Sequence, residues 1–88
     1  RESGFGRYDI MLEPKEKGKD AFIIEFKVAR TDRGESLEDA VRSALGQIEK
    51  MRYETALESR GVEPERIRRY GFAFEGKKVL IGEGRSAL

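Results

Sequence analysis

Ala21-Phe22-Ile23-Ile24-Glu25-Phe26-Lys27-Val28 places six apolar side chains and two opposite charges in eight positions. Its β-branched and aromatic residues, bounded by polar stretches, predict a strand. Alternation sends Phe22, Ile24, Phe26 and Val28 to one face and Ile23, Glu25 and Lys27 to the other. Charged residues inside the most apolar strand of a chain are rarely tolerated without a reason. Two outward-pointing side chains on a half-exposed sheet account for them about equally well.

The residues before this strand sharpen the question. Pro14 to Asp20 is polar, contains Pro and Gly, and separates two apolar runs, which is the signature of a hairpin loop. Arg7 to Leu12 reads as the partner strand, with Tyr8, Ile10 and Leu12 on one face and Asp9 and Met11 on the other. If the turn centres near Lys17, Asp9 faces Glu25 and Met11 faces Ile23. The two carboxylates then share a face with Cβ atoms about 4.5–5.5 Å apart, and Lys27 stands about 6.6 Å along the strand from Glu25. Like charges directly opposite one another destabilise a sheet unless something positive sits between them. A divalent cation is the natural candidate, because Mg²⁺ takes one or two carboxylates, keeps waters and leaves room for a phosphate. A register slip of one residue would send Asp9 to the more apolar face.

Downstream, Ala29 to Gly34 is a charged loop, and Ser36-Leu37-Glu38-Asp39 has the form of a capping box. Leu37, Val41, Ala44, Leu45, Ile48 and Met51 recur at helical spacing, with Ala40 widening the stripe. Tyr53, Ala56 and Leu57 extend the pattern towards a stop at Arg60-Gly61. Gly46 inside it costs about 1 kcal/mol relative to Ala and marks close packing or a bend. Ile67 to Phe74 predicts a third strand, with Tyr70, Phe72 and Phe74 as core side chains rather than a platform for stacked bases. Val79 to Ile81 predicts a short fourth strand after the turn at Glu75-Gly76-Lys77-Lys78. The order strand, strand, helix, strand, strand gives an α/β fold in which one long crossover helix covers a mixed sheet.

Composition bounds the function. A chain of 88 residues has room for one core. No stretch approaches the run of about 18 apolar residues needed to span a membrane. The absence of Cys and His removes thiol nucleophiles, the common zinc sites and every His-dependent triad. Chemistry is left to carboxylates, Lys, Arg, Tyr, Ser, Thr or a carboxylate-bound hard metal. The formal net charge of +1 does not announce a nucleic-acid binder, but residues 67–88 hold five basic and two acidic side chains. The lack of Cys, together with an opening Arg1-Glu2-Ser3-Gly4 that shows no apolar signal region, leads us to expect a cytoplasmic protein.

Asp9 with Glu25-Phe26-Lys27 on adjacent strands, followed by a helix, resembles the PD-(D/E)XK nuclease superfamily. It is most similar to the branch found as a C-terminal domain on AAA-ATPase-like proteins of bacteria and archaea. The resemblance is carried by residues 2–12 (Glu-Ser-Gly-Phe-Gly-Arg-Tyr-Asp-Ile-Met-Leu), 23–28, 44–48 (Ala-Leu-Gly-Gln-Ile) and 70–79 (Tyr-Gly-Phe-Ala-Phe-Glu-Gly-Lys-Lys-Val). It implies a restriction-endonuclease-like domain over residues 1–82, with residues 83–88 as a frayed tail. The helix and first strand that open the family core are expected to be missing from the chain.

By the same resemblance, Asp9 and Glu25 are metal ligands, with the Phe26 carbonyl as a third, for Mg²⁺ or Mn²⁺. Lys27 orients the attacking water, and Gln47 matches the helix glutamine that completes such sites, although a solvated polar position explains it as well. Arg7, Arg30 and Arg33 are candidates for phosphate contact, although a charged, solvated loop accounts for them more readily. Tyr53 lies six residues after Gln47, where related nucleases carry a Tyr four residues on, which weakens any role for it. The implied partners are nucleic acid, DNA ahead of RNA, an attached ATPase domain and a second copy that completes the sheet. The competing expectation is a catalytically inactive nuclease-like module used for interaction or oligomerisation.

Overall fold

A computed structural model describes residues 9–84 of the chain. Its strands are β1 (Ile10–Leu12), β2 (Ala21–Val28), β3 (Ile67–Glu75) and β4 (Lys78–Gly84), joined in one sheet in that order. β1 pairs antiparallel with β2 and aligns Met11 with Ile23. β2 and β3 run parallel, with Glu25 opposite Gly71, and β3 and β4 form an antiparallel hairpin. Parallel neighbours cannot be joined by a tight turn. The connection here is the helix α1 (Leu37–Met51) followed by the short helix α2 (Glu54–Ser59). The sheet is therefore mixed, as the sequence implies.

The α1 start is fixed by the capping box. Ser36 Oγ accepts the Asp39 N–H and Asp39 Oδ2 accepts the Ser36 N–H, both at 3.0 Å. Two donors that the first turn leaves without helical partners are satisfied in this way. Glu38 and Asp39 in the first turn and Lys50 in the last suit the helix dipole. The helix stops earlier than its apolar stripe suggests, because Arg52 adopts the left-handed region at φ 54°. Tyr53, Ala56 and Leu57 accordingly do not prolong α1. Tyr53 precedes α2, which carries the other two, and Tyr53 and Leu57 are buried in the core.

The main departure from expectation is which sheet face α1 covers. It lies over the face of Ala21, Ile23 and Glu25 on β2 and of Ile67, Arg69, Gly71 and Ala73 on β3, all of them buried. Fully buried Ile23, Ile48 and Leu57 each contribute about 1.5–3 kcal/mol of burial free energy. The aromatic face, with Phe22, Phe26, Tyr70, Phe72 and Phe74, is turned away from the helix. There Val28 is 67% exposed and Ile81 52%. Size decides this. A Cβ on Gly71 would stand 3.0 Å from Ala44 Cβ, and one on Gly82, its partner on β4, 2.5 Å from Val41 Cγ1. Small residues make a floor on which the helix rests at close range, and the bulky aromatic face offers none. Gly46, by contrast, meets nothing within 4 Å and marks no close packing.

One boundary also moves. The fourth strand continues past Ile81 to Gly84, so residues 83 and 84 belong to the sheet rather than to a tail. Arg7 and Tyr8, expected in the first strand, lie outside the described residues.

Candidate active site

The β1–β2 ladder ends at Ile10 opposite Ile24, and Asp9, just outside it, is the next residue along the register that leads to Glu25. Instead of continuing the ladder with backbone groups, Asp9 reaches over with its side chain, and Oδ2 accepts the Phe26 N–H at 2.7 Å. The N–H and C=O of one strand residue point to the same edge, so the Phe26 carbonyl is directed towards Asp9 as well. Odd-numbered residues of the same strand face β3, an alternation that continues where the Ala29 N–H donates to the Phe74 carbonyl at 2.8 Å.

Glu25 is 7% exposed, and Lys27, two residues along the same face, is half-buried. Carboxylates are rarely buried to this degree without partners. On the opposite face, Phe26 packs edge-on against Phe72, with ring centroids 5.5 Å apart, and against Phe74 at 6.0 Å. These aromatic contacts hold the strand segment that carries the charged residues.

Gln47 comes from α1. It lies three residues after Ala44, which stands over Gly71, the sheet partner of Glu25, and one before the buried Ile48. Positions three apart share a helix face, so half-buried Gln47 belongs to the layer between α1 and the Glu25 side of the sheet. Gly71 escapes a motif search. Its signal is a glycine interrupting the aromatic alternation Tyr70-Gly71-Phe72, which marks close approach of another backbone.

The remaining candidates separate. Arg30 and Arg33 flank and end an exposed single 3-10 turn, Thr31–Arg33, directly after β2. The Arg30 N–H donates to Glu35 Oε1 at 2.7 Å and its Nε lies 3.9 Å from Asp32. Arg7 is outside the described residues. Arg68 and Arg69, on β3, are each set against acidic side chains. Arg68 is held 3.8 Å from Asp20 and 3.5 Å from Glu83, and its pKa is raised, first by a hydrogen bond to Tyr70 and then by Glu83. Arg69 is buried, with NH2 3.8 Å from Glu54. Tyr53 is a core residue packed with Ile23, Ile48 and Leu57.

A groove of about 590 Å³ lies at the other end of the sheet, between the hairpin loop and residues 60–66. Two of its arginines are tied to acidic neighbours, Arg60 to Glu13 at 2.8 Å and Arg66 to Asp20 and Glu63 at 3.6 and 3.9 Å. It contains none of the candidate residues.

No cluster of three or more His, Cys, Asp or Glu suited to a metal occurs among the described residues. A pair is enough for a hard cation that also takes waters and substrate phosphate. Asp9, Glu25 and the Phe26 carbonyl offer oxygen donors only, which suits such an ion and not a thiolate-seeking or imidazole-seeking metal.

The family model described as the PD-(D/E)XK nuclease superfamily matches residues 1–84. The chain belongs to that superfamily. Neither the curated proteins nor the solved structures gave a match. The four-stranded mixed sheet with its helix is consistent with the restriction-endonuclease-like fold, and membership of a nuclease superfamily implies a nucleic-acid substrate.

Proposed function

We propose that this domain hydrolyses phosphodiester bonds of nucleic acid with the help of a divalent cation, Mg²⁺ or Mn²⁺. The observation that carries the reading is the Asp9 to Phe26 hydrogen bond, which brings one carboxylate beside the strand segment that bears Glu25 and Lys27. Asp9, Glu25 and the Phe26 carbonyl are the groups that would hold the ion. When bound, such an ion lowers the pKa of a coordinated water and polarises the phosphoryl oxygen.

The chain's own side chains supply the rest. Lys27 projects from the same face as Glu25, where its ammonium positions the attacking water and offsets charge that develops on the phosphate. Gln47 donates from the helix side of the same layer. Arg30 and Arg33 stand on the loop that leaves β2, where they contact flanking phosphates, as does Arg7. DNA is the favoured substrate over RNA. An attached AAA-type ATPase that works with the domain, and pairing of two copies, rest on the motif resemblance alone.

The test is cleavage of end-labelled DNA, and of RNA of the same sequence, in Mg²⁺ or Mn²⁺. Cleavage that falls at least about 100-fold in Lys27→Ala supports the reading, since loss of one charge-stabilising donor costs about 10²–10³ in rate. A folded protein that cleaves neither substrate contradicts it and leaves the interaction module.

A further inference from the structure

The parallel pairing of β2 with β3 has an effect on charge that the sequence order conceals. Val28 is aligned with Phe74, so the turn at Gly76 and Lys77 emerges at the same end of the sheet as Lys27 and the loop carrying Arg33. The Ala29 N–H bonded to the Phe74 carbonyl fastens the two chain segments there.

Two acidic groups at this end, Glu35 and Asp39, are engaged within the fold, while Glu75 stands opposite Lys78 in the ladder. Glu35 accepts the Arg30 N–H, and Asp39 is held by the helix cap and Arg42. Hydrogen bonds from Ser36 keep the Asp39 carboxyl below its ordinary pKa. Lys27, Arg33, Lys77 and Lys78 make no ion pair with a described residue, and the last three are exposed. Lys78 pairs with Glu75 and by alternation shares the sheet face of Lys27. Two strand spacings across and two residues along place their Cα atoms about 12 Å apart. That span corresponds to about 3.5 nucleotide steps of duplex rise.

We infer that Lys77 and Lys78, on the β3–β4 turn, bind the phosphate backbone of the nucleic-acid substrate on the side of Lys27 away from Asp9. The inference rests on the nuclease reading and extends it. These lysines position the strand by charge, without reading its sequence. They convert a nearly neutral domain into one with a cationic rim beside its carboxylate pair. Of the basic side chains in this part of the chain, Lys77 and Lys78 then act at the site, whereas Arg68 and Arg69 are set against Asp20, Glu83 and Glu54.

The experiment is fluorescence anisotropy with a labelled DNA duplex, and with RNA of the same sequence, across a salt series with Ca²⁺ in place of Mg²⁺. The Lys77→Ala/Lys78→Ala double variant is compared with a Lys15→Ala/Lys17→Ala variant at the far end of the sheet. Loss of two phosphate contacts should lower the slope of log affinity against log salt by about 2 on the duplex. It should also weaken binding about tenfold or more at low salt, while the Lys15/Lys17 variant keeps the wild-type slope. An unchanged slope in the Lys77/Lys78 variant, or an equal loss in both variants, overturns the inference. If the wild type cleaves and the double variant binds normally, only this inference fails. If the wild type binds neither probe, it falls together with the nuclease reading.

Discussion

The Asp9 carboxylate accepts the Phe26 N–H at 2.7 Å, from a residue seventeen positions away in the chain. This bond does two things at once: it closes the β1–β2 ladder and sets a negative charge beside Glu25. Substitution separates them. In Asp9→Asn the amide oxygen still accepts the bond, so thermal stability should stay within about 0.5 kcal/mol of wild type while cleavage is lost. Asp9→Ala removes the acceptor as well and should cost about 1–2 kcal/mol. Urea unfolding of both variants beside the cleavage assay checks the split, and equal destabilisation would count against it.

Gly82 lies under Val41, with no room for a methyl group between them. Gly82→Ala should destabilise the fold by about 1–3 kcal/mol through overpacking. Val41→Ala, harmful alone because it leaves a cavity, should recover part of that loss in the double variant. A double-mutant cycle measured by chemical denaturation reads the coupling, and simple additivity would show that the close approach is not felt.

How far the sequence carries can be judged from these two contacts. The hairpin register follows from a turn centred near Lys17, an assumption that left a one-residue slip open, and Met11 does face Ile23. The capping box was legible because it is local. The covered face was not. Hydrophobicity favoured Phe22, Ile24, Phe26 and Val28, but the helix chose the face of Ala21, Gly71, Ala73 and Gly82, where its backbone could come close. Apolar character says that a face is to be buried, whereas residue size says how near a helix can lie, and only the paired strands show which small residues adjoin. The expectation that Asp9 and Glu25 pair rests on extending the hairpin register by one residue beyond Ile10. The placement of Lys78 on the sheet face of Lys27 depended on how three strands pair, which no local stretch of sequence states.

At the C-terminus of α1, Arg52 holds φ 54°, a region that L-residues with a Cβ enter at a cost of about 1–2 kcal/mol. Arg52→Gly should therefore raise stability by up to about 1 kcal/mol, after the entropy lost by a more flexible unfolded chain. Thermal denaturation measures it, and a loss of stability would mean that the arginine side chain contributes more than its backbone costs.

The Asp39 carboxyl has its pKa lowered, chiefly by its hydrogen bond with the Ser36 backbone, then by the Ser36 hydroxyl and Arg42. A depressed folded-state pKa means a contribution that is complete above the unfolded value near 3.8 and is lost as pH falls through the lower folded value. Ser36→Ala should cost about 1 kcal/mol at neutral pH, and the difference from wild type should shrink below about pH 3.8 as Asp39 is protonated. Denaturation curves at pH 7 and pH 3 check it; a constant difference would assign the cap to the serine alone.

The claim on which the rest depends is that the β1–β2 register builds a site for one divalent ion from Asp9 and Glu25. Titration of the protein with Mn²⁺, with free ion followed by electron paramagnetic resonance, counts that site directly. The account predicts one bound ion in the wild type and in Lys27→Ala, which keeps the ligands and loses cleavage. Asp9→Asn and Glu25→Gln should lose it. Equal Mn²⁺ binding by wild type and Asp9→Asn, both folded, would contradict the account.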